Sequence, residues 1–234
     1  MFRAIVVCLL LTVSLVTVAE AQQPKISRVG VLLPGSAWNE IIDGLRLGLR
    51  ELGLQEKKHF VLEIRDTKGD LKAAEEAARN LEQEKVDLIF TTRSSVTIAA
   101  RRATAGIPIV FSAGSDPVAL GLVDSFAKPG GRLTGVYEPG TDLTAKRLEI
   151  LKEIVPKLRR MVAFYDPRNP VASQSAKLAR EEARLRGVEL VERHFASVEE
   201  LQAAIRLVTA EEVDAFFQLS DSMVNNQAQL IIET

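Results

Sequence analysis

Short hydroxyl-bearing and acidic residues gather wherever an apolar, strand-like run of this chain ends. Ser36 and Trp38 follow Pro34-Gly35, Ser94 and Ser95 follow Thr91-Thr92-Arg93, and Ser115 and Asp116 close the stretch Ser112-Ala113-Gly114. Asp166 follows Tyr165, and Ser220 and Asp221 follow Leu219. Free N–H groups and partial positive charge at a helix start hold anions. Ser94 and Ser95 would cap such a start and hydrogen-bond a carboxylate, and Ser115 would do the same from the next loop. Asp221 would meet an ammonium from the opposite side, and Trp38, the only tryptophan, would either stack on a ligand or cover a hinge. Taken singly, serine and aspartate at helix starts are ordinary caps. Their recurrence at several strand ends is what favours a ligand.

The elements that must position these residues alternate with a regular rhythm. Strand-like runs are read at Ile26 to Leu33, His59 to Arg65, Val86 to Thr91, Ile107 to Ser112, Leu133 to Tyr137, Arg160 to Tyr165, Val188 to Phe195 and Ala215 to Leu219. Helical spacing is read between them at Asn39 to Leu52, Asp70 to Glu84, Ser94 to Ala103, Leu143 to Val155, Ala172 to Arg186 and Val198 to Val208, with a short helix at Val118 to Phe126 and a last one at Met223 to Glu233. Strands alternating with helices of this length predict βαβ units and parallel sheets buried on both faces. The predicted fold class is therefore α/β, with two doubly wound lobes and ligand sites in the crevice beyond the carboxyl ends of the strands. Gly and Pro crowd into Pro129 to Asp142 and mark the lobe boundary or hinge. The expected organisation is residues 1–21, 22–135 and 136–234.

Residues 1–21 read as a secretory signal peptide. Met1-Phe2-Arg3 is a basic start, Ala4 to Val18 an apolar stretch, and Ala19-Glu20-Ala21 supplies small residues for cleavage before Gln22. An uncleaved anchor is the alternative. Cleavage would remove Cys8, the only cysteine. With two histidines in separate units, His59 and His194, a His/Cys zinc site has no basis. Charge is balanced, 30 Lys+Arg against 31 Asp+Glu, so nothing suggests a nucleic-acid footprint. G-x-S-x-G, H-E-x-x-H and P-loop patterns are missing, and no G-x-G-x-x-G follows the first strand. The chain stops at Thr234 inside a helical pattern with no cap or Gly/Pro stop, and its second half holds few βα units, so a shortened second lobe is expected.

Several stretches carry a family resemblance. VGVLLPGSAWNEIIDGLRLGLRELG, VDLIFTTRSSVTIAARRAT, IPIVFSAGSDPVALGLVDSFAKPGGRLTGV and LEILKEIVPKLRRMVAFYDPRNP resemble the ABC-transporter substrate-binding proteins of the tryptophan/tyrosine type. The most specific piece runs from Phe111 to Val123, followed by KPGG at Lys128 to Gly131. The resemblance covers Ile26 to the C-terminus. It implies a type I periplasmic-binding fold, a small-molecule ligand clamped between lobes, an ABC permease as partner and a periplasmic location. No cofactor and no nucleic acid are implied, and the membrane is reached only through the permease. Carried over by position, Ser94, Ser115, Asp116, Ser220 and Asp221 are ligand-site residues. Arg93-Ser94-Ser95 departs from the family's T-P, and Asp166 stands where Asn is frequent, so the ligand need not be an aromatic amino acid. Two rival readings stand beside this one. One is an exported ligand-sensing module; the other is a two-lobed isomerase using Asp116 and Asp221 as a carboxylate pair across the cleft.

Overall fold

The structure is a computed structural model that describes residues 25–35 and 38–234. The expected signal peptide and Ser36 lie outside the described residues. The first sheet has five strands in the order β2-β1-β3-β4-β5. They are β1 (Ser27–Leu33), β2 (Phe60–Asp66), β3 (Leu88–Thr92), β4 (Ile109–Ala113) and β5 (Leu133–Tyr137), and every pairing is parallel. The second sheet has three strands, also parallel, in the order β7-β6-β8: β6 (Arg160–Tyr165), β7 (Glu189–His194) and β8 (Ala215–Phe216). The helices are α1 (Asn39–Glu51), α2 (Leu71–Gln83), α3 (Ser94–Ala103), α4 (Thr144–Ile154), α5 (Pro170–Leu185), α6 (Val198–Arg206), α7 (Ser222–Asn225) and α8 (Ala228–Glu233).

The two α/β lobes follow from the apolar pattern of the central strands. In β1, Leu32 packs with Ala74, Ala78 and Leu81 of α2 on one face, while Val31 and Leu33 pack with Ile42 of α1 on the other. Both faces are dry, as a parallel sheet requires. Gly30 is needed for this closeness: a Cβ there would stand 2.7 Å from Leu81 Cδ1. In the second lobe all of β6 after Arg160 is buried. Helix α5 meets it with Ala172, Ala176, Ala179 and Ala183, a helical stripe of small side chains.

Caps set the helix starts. Asp70 accepts from Lys72 N and Ala73 N to open α2. Asn169 accepts from Val171 N and Ala172 N to open α5, with Pro170 at the first position. At the other end of α2, the Glu82 carboxylate accepts from Ala105 N, Gly106 N and Ile107 N at 2.9–3.1 Å, stapling the α3–β4 loop to the helix. The Gly106 N–H, then those of Ala105 and Ile107, hold this carboxyl below the usual glutamate range. A lowered carboxylate contributes stability above its ordinary titration range and loses it as pH falls through the lowered value. Glu82→Gln should therefore cost about 1–2 kcal/mol at neutral pH, and the gap to the parent should shrink in urea melts taken toward pH 3. An equal gap at both pH values would show that the charge is irrelevant there.

Two elements differ in kind from the sequence reading. Val118 to Phe126 forms turns, not a helix. Asp116 Oδ1 accepts from Val118 N and Ala119 N, and Gly121 takes φ +64°, which ends helical progression. The last helix is split into α7 and α8, and Asn226 at the break donates Nδ2 to Pro34 O of the first lobe. Strand β5 runs across the 135/136 boundary and pairs with β4 through Tyr137, so the chain leaves the first sheet there and passes to the second lobe through residues 138–143.

Candidate functional site

The two sheets point the carboxyl ends of β3, β4, β6 and β8 toward one another. Ser94, at the first position of α3, accepts from Gly114 N and Ser115 N, both at 3.1 Å, and so locks the end of β4 to the start of α3. Ser115 Oγ meets Thr141 Oγ1 at 2.6 Å, and Thr141 Oγ1 meets Ser220 Oγ at 3.2 Å. These contacts form a hydroxyl chain from the first lobe, through the crossing segment, to the end of the second sheet. Thr144 anchors the crossing by donating to Thr141 O at 2.6 Å. Ser94, Ser95, Ser115 and Ser220 line one gap together with Arg93, Gly114, Val171 and Ser222. The gap nowhere widens enough to admit a water-sized sphere.

Other predicted site residues are placed differently. Asp221 is 2% exposed and accepts four hydrogen bonds inside its own lobe. Oδ1 takes Met223 N and Val224 N, capping α7, while Oδ2 takes Asp166 N and Asn169 Nδ2. These use the carboxylate's four lone-pair positions, so it has none for a ligand ammonium. Burial pushes its carboxyl above the ordinary aspartate range. Asp116 uses one oxygen, Oδ1, to cap the turn after β4. The carboxylate pair of the isomerase reading is thus replaced by two local caps. Asp166 is bound by the Arg168 guanidinium at 2.8–3.1 Å. It lines a wider cleft of about 610 Å³, bordered by the end of β2 and the start of α6. Trp38 packs on the α1 face of the core, with the Arg93 guanidinium 4.7 Å over its ring. A third cavity, about 200 Å³, lies beneath β8 among Val162, Phe164, Ile205, Val213, Phe216 and Ile231 and holds little polar chemistry.

Sequence reasoning missed Thr141 and Thr144. Thr141 lies in the Gly/Pro-rich crossing, where no period marks a buried face, yet it is 1% exposed. Its neighbouring Gly140 and Pro139 were the available signal, since such a segment between two βα cycles must pass the cleft.

A family model described as ABC transporter substrate binding protein matches residues 26–234. The chain belongs to the ABC transporter substrate-binding protein family. Among curated proteins this substrate-binding protein is similar to the tyrosine-binding protein of Clostridioides difficile (strain R20291). Identity is 24% over 188 residues, covering 80% of this chain and 54% of the relative. The chain therefore spans about half the length of the curated relative it matches. Among solved structures it is similar to a conserved domain protein from Vibrio cholerae, with TM-score 0.78 and 28% identity over 89% of this chain and 70% of that one. It also shares the fold of the ABC domain from Streptococcus pneumoniae crystallised with L-Trp, with TM-score 0.70 and 20% identity over 88% of this chain and 72% of that one. The expected α/β fold with parallel sheets is the fold of these neighbours.

Proposed function

We propose that this substrate-binding protein is exported to the periplasm by its N-terminal segment, clamps a small amino-acid-like solute between its lobes, and presents it to the permease of an ABC importer. The observation that carries this reading is the hydroxyl chain Ser115–Thr141–Ser220. It joins the strand ends of both lobes at the place where open α/β sheets bind ligands. Ser94 and Ser95 add the N-terminus of α3, a ten-residue helix, whose free N–H groups favour a carboxylate. Because the gap does not admit a water-sized sphere, a solute reaches these residues only when the lobes part. Residues 138–143, with Pro139 and Gly140, are the segment about which they would swing.

Binding to the folded state alone raises stability by about 2.7 kcal/mol at a hundredfold excess over Kd. A thermal-shift screen of the full chain against the proteinogenic amino acids and small organic acids should therefore yield at least one upward shift. A flat panel at millimolar solute would sink the proposal.

A further inference from the structure

Arg93 is the most unusual residue of the interlobe gap. It occupies φ +72°, ψ +140° just before α3, close to a backbone region populated almost only by glycine. Non-glycine residues held in such regions are strained and cluster at ligand sites. Its side chain is folded over Trp38 and against Gly114. Nη1 lies 3.2 Å from where a Cβ on Gly114 would stand, so the missing side chain is what seats the guanidinium. Among the described residues no carboxylate forms an ion pair with it. Glu138, the acidic group acting on it, is exposed and at longer range.

A second guanidinium, in the other lobe, lies near enough to repel it. Arg147 of α4 lies 5.5 Å over the Phe217 ring and donates Nη2 to Gln218 O at 2.8 Å. It too has no ion-pair partner among the described residues. Desolvation lowers the pKa of both arginines, and Arg147 lowers that of Arg93 further by repulsion. Two further donors nearby lack acceptors among the described residues. Thr92 Oγ1 belongs to a residue that is fully buried beside Arg93 in the chain, and Trp38 Nε1 belongs to the ring beneath the guanidinium. Of these groups Arg93 lines the gap itself, and a partly dehydrated cation without an ion-pair partner there is compensated by an anion.

We propose that Arg93 is a specificity-determining ligand residue that takes an acidic group of the solute, so that the site selects small acids carrying a carboxylate beyond the one held by Ser94, Ser95 and α3. Acidic amino acids and short dicarboxylates are the class that fits. The planar guanidinium offers two parallel N–H donors to such a group, and Arg147 approaches it from the second lobe as the gap closes. This assignment rests on the solute-binding reading above and narrows it.

The test is calorimetric titration of the full chain and its Arg93→Gln and Arg93→Lys variants with L-glutamate, L-aspartate, succinate and glutarate. L-Tyrosine and L-leucine serve as neutral comparisons. At least one acid should bind the parent more tightly than either neutral amino acid, and more weakly as salt rises. Arg93→Gln should lose roughly tenfold to a hundredfold in affinity for that acid, the usual range for one charge-assisted contact. Arg93→Lys should fall between, and the melting temperature without solute should not drop in either variant. Neutral amino acids binding in preference to every acid, or equal acid affinity in Arg93→Gln, would overturn the assignment and leave the solute-binding reading standing. Silence across both sets in the parent would overturn the assignment, and the broader thermal-shift panel then decides the solute-binding reading.

Discussion

Gly69→Ala should hold the lobes apart. Gly69 follows β2 with φ +82°, and a Cβ there would stand 2.7 Å from Met223 N and Met223 Cα in the second lobe. Backbone cannot yield as a side-chain tip can, so relief comes from separating the lobes. The left-handed conformation adds about 1 kcal/mol of local strain for a residue with a Cβ. Gly35 makes a similar close approach to the Asn226 side chain, whose Nδ2 bonds Pro34 O, and that contact should open with the first. Small-angle scattering should report a larger radius of gyration for the variant, and limited proteolysis should cut faster within residues 138–143. Any solute that shifts the parent's melting temperature should bind the variant at least tenfold more weakly, about 1.4 kcal/mol. Unchanged scattering together with unchanged affinity would show that the Gly69–Met223 contact does not govern closure.

The second large effect is expected at Asp221, and it falls on stability. Asp221→Ala strands the donors of Met223, Val224, Asp166 and Asn169 in a buried place, at a cost of about 3–5 kcal/mol. Asp221→Asn keeps one oxygen on α7 but turns an amide N–H₂ toward the Asp166 and Asn169 donors, so it should cost about 2 kcal/mol. Burial raises this carboxyl. A raised carboxyl favours the folded state most below its ordinary range, and that contribution fades as pH climbs through the raised value. Chemical denaturation of both variants beside the parent measures the losses. An undiminished midpoint for Asp221→Ala would remove the capping role and return Asp221 to the candidate ligand contacts.

How much of this was legible depended on whether a residue's role was periodic. Bounds of α3, β5 and β6 follow from their patterns: α3 starts just after Arg93, and the apolar runs of β5 and β6 end before Glu138 and Asp166. Helix α5 begins two residues before its apolar pattern, because Asn169 and Pro170 set its start. The turns of 118–126 and the break at Asn226 depend on one side-chain acceptor and one cross-lobe amide, which no periodicity announces. For the site, Ser94, Ser95, Ser115 and Ser220, picked out by strand-end position, lie around one gap. Strand-end position did not separate them from Asp116 and Asp221, which share it but face their own backbone. Thr141 was invisible because its partners lie 26 and 79 residues away in sequence. Arg93 stood out only as a bulky departure; its backbone angle and its seat against Gly114 are three-dimensional facts.

The latch between the lobes is weak chemistry. Among the described residues every ion pair lies within a single lobe. The polar contacts between the lobes are neutral ones, the Ser115–Thr141–Ser220 hydroxyl chain and the Asn226 amide on Pro34 O, beside the close approach of Gly69 to Met223. Neutral bonds of this kind are worth about 1 kcal/mol each, so under the hinge-closure proposal these polar contacts bias the shut form only modestly. Equilibria so lightly biased are the ones a solute of ordinary affinity can tip, and the fraction of molecules already shut scales its apparent Kd directly. A cross-lobe salt bridge would have made the clamp sturdier and deaf.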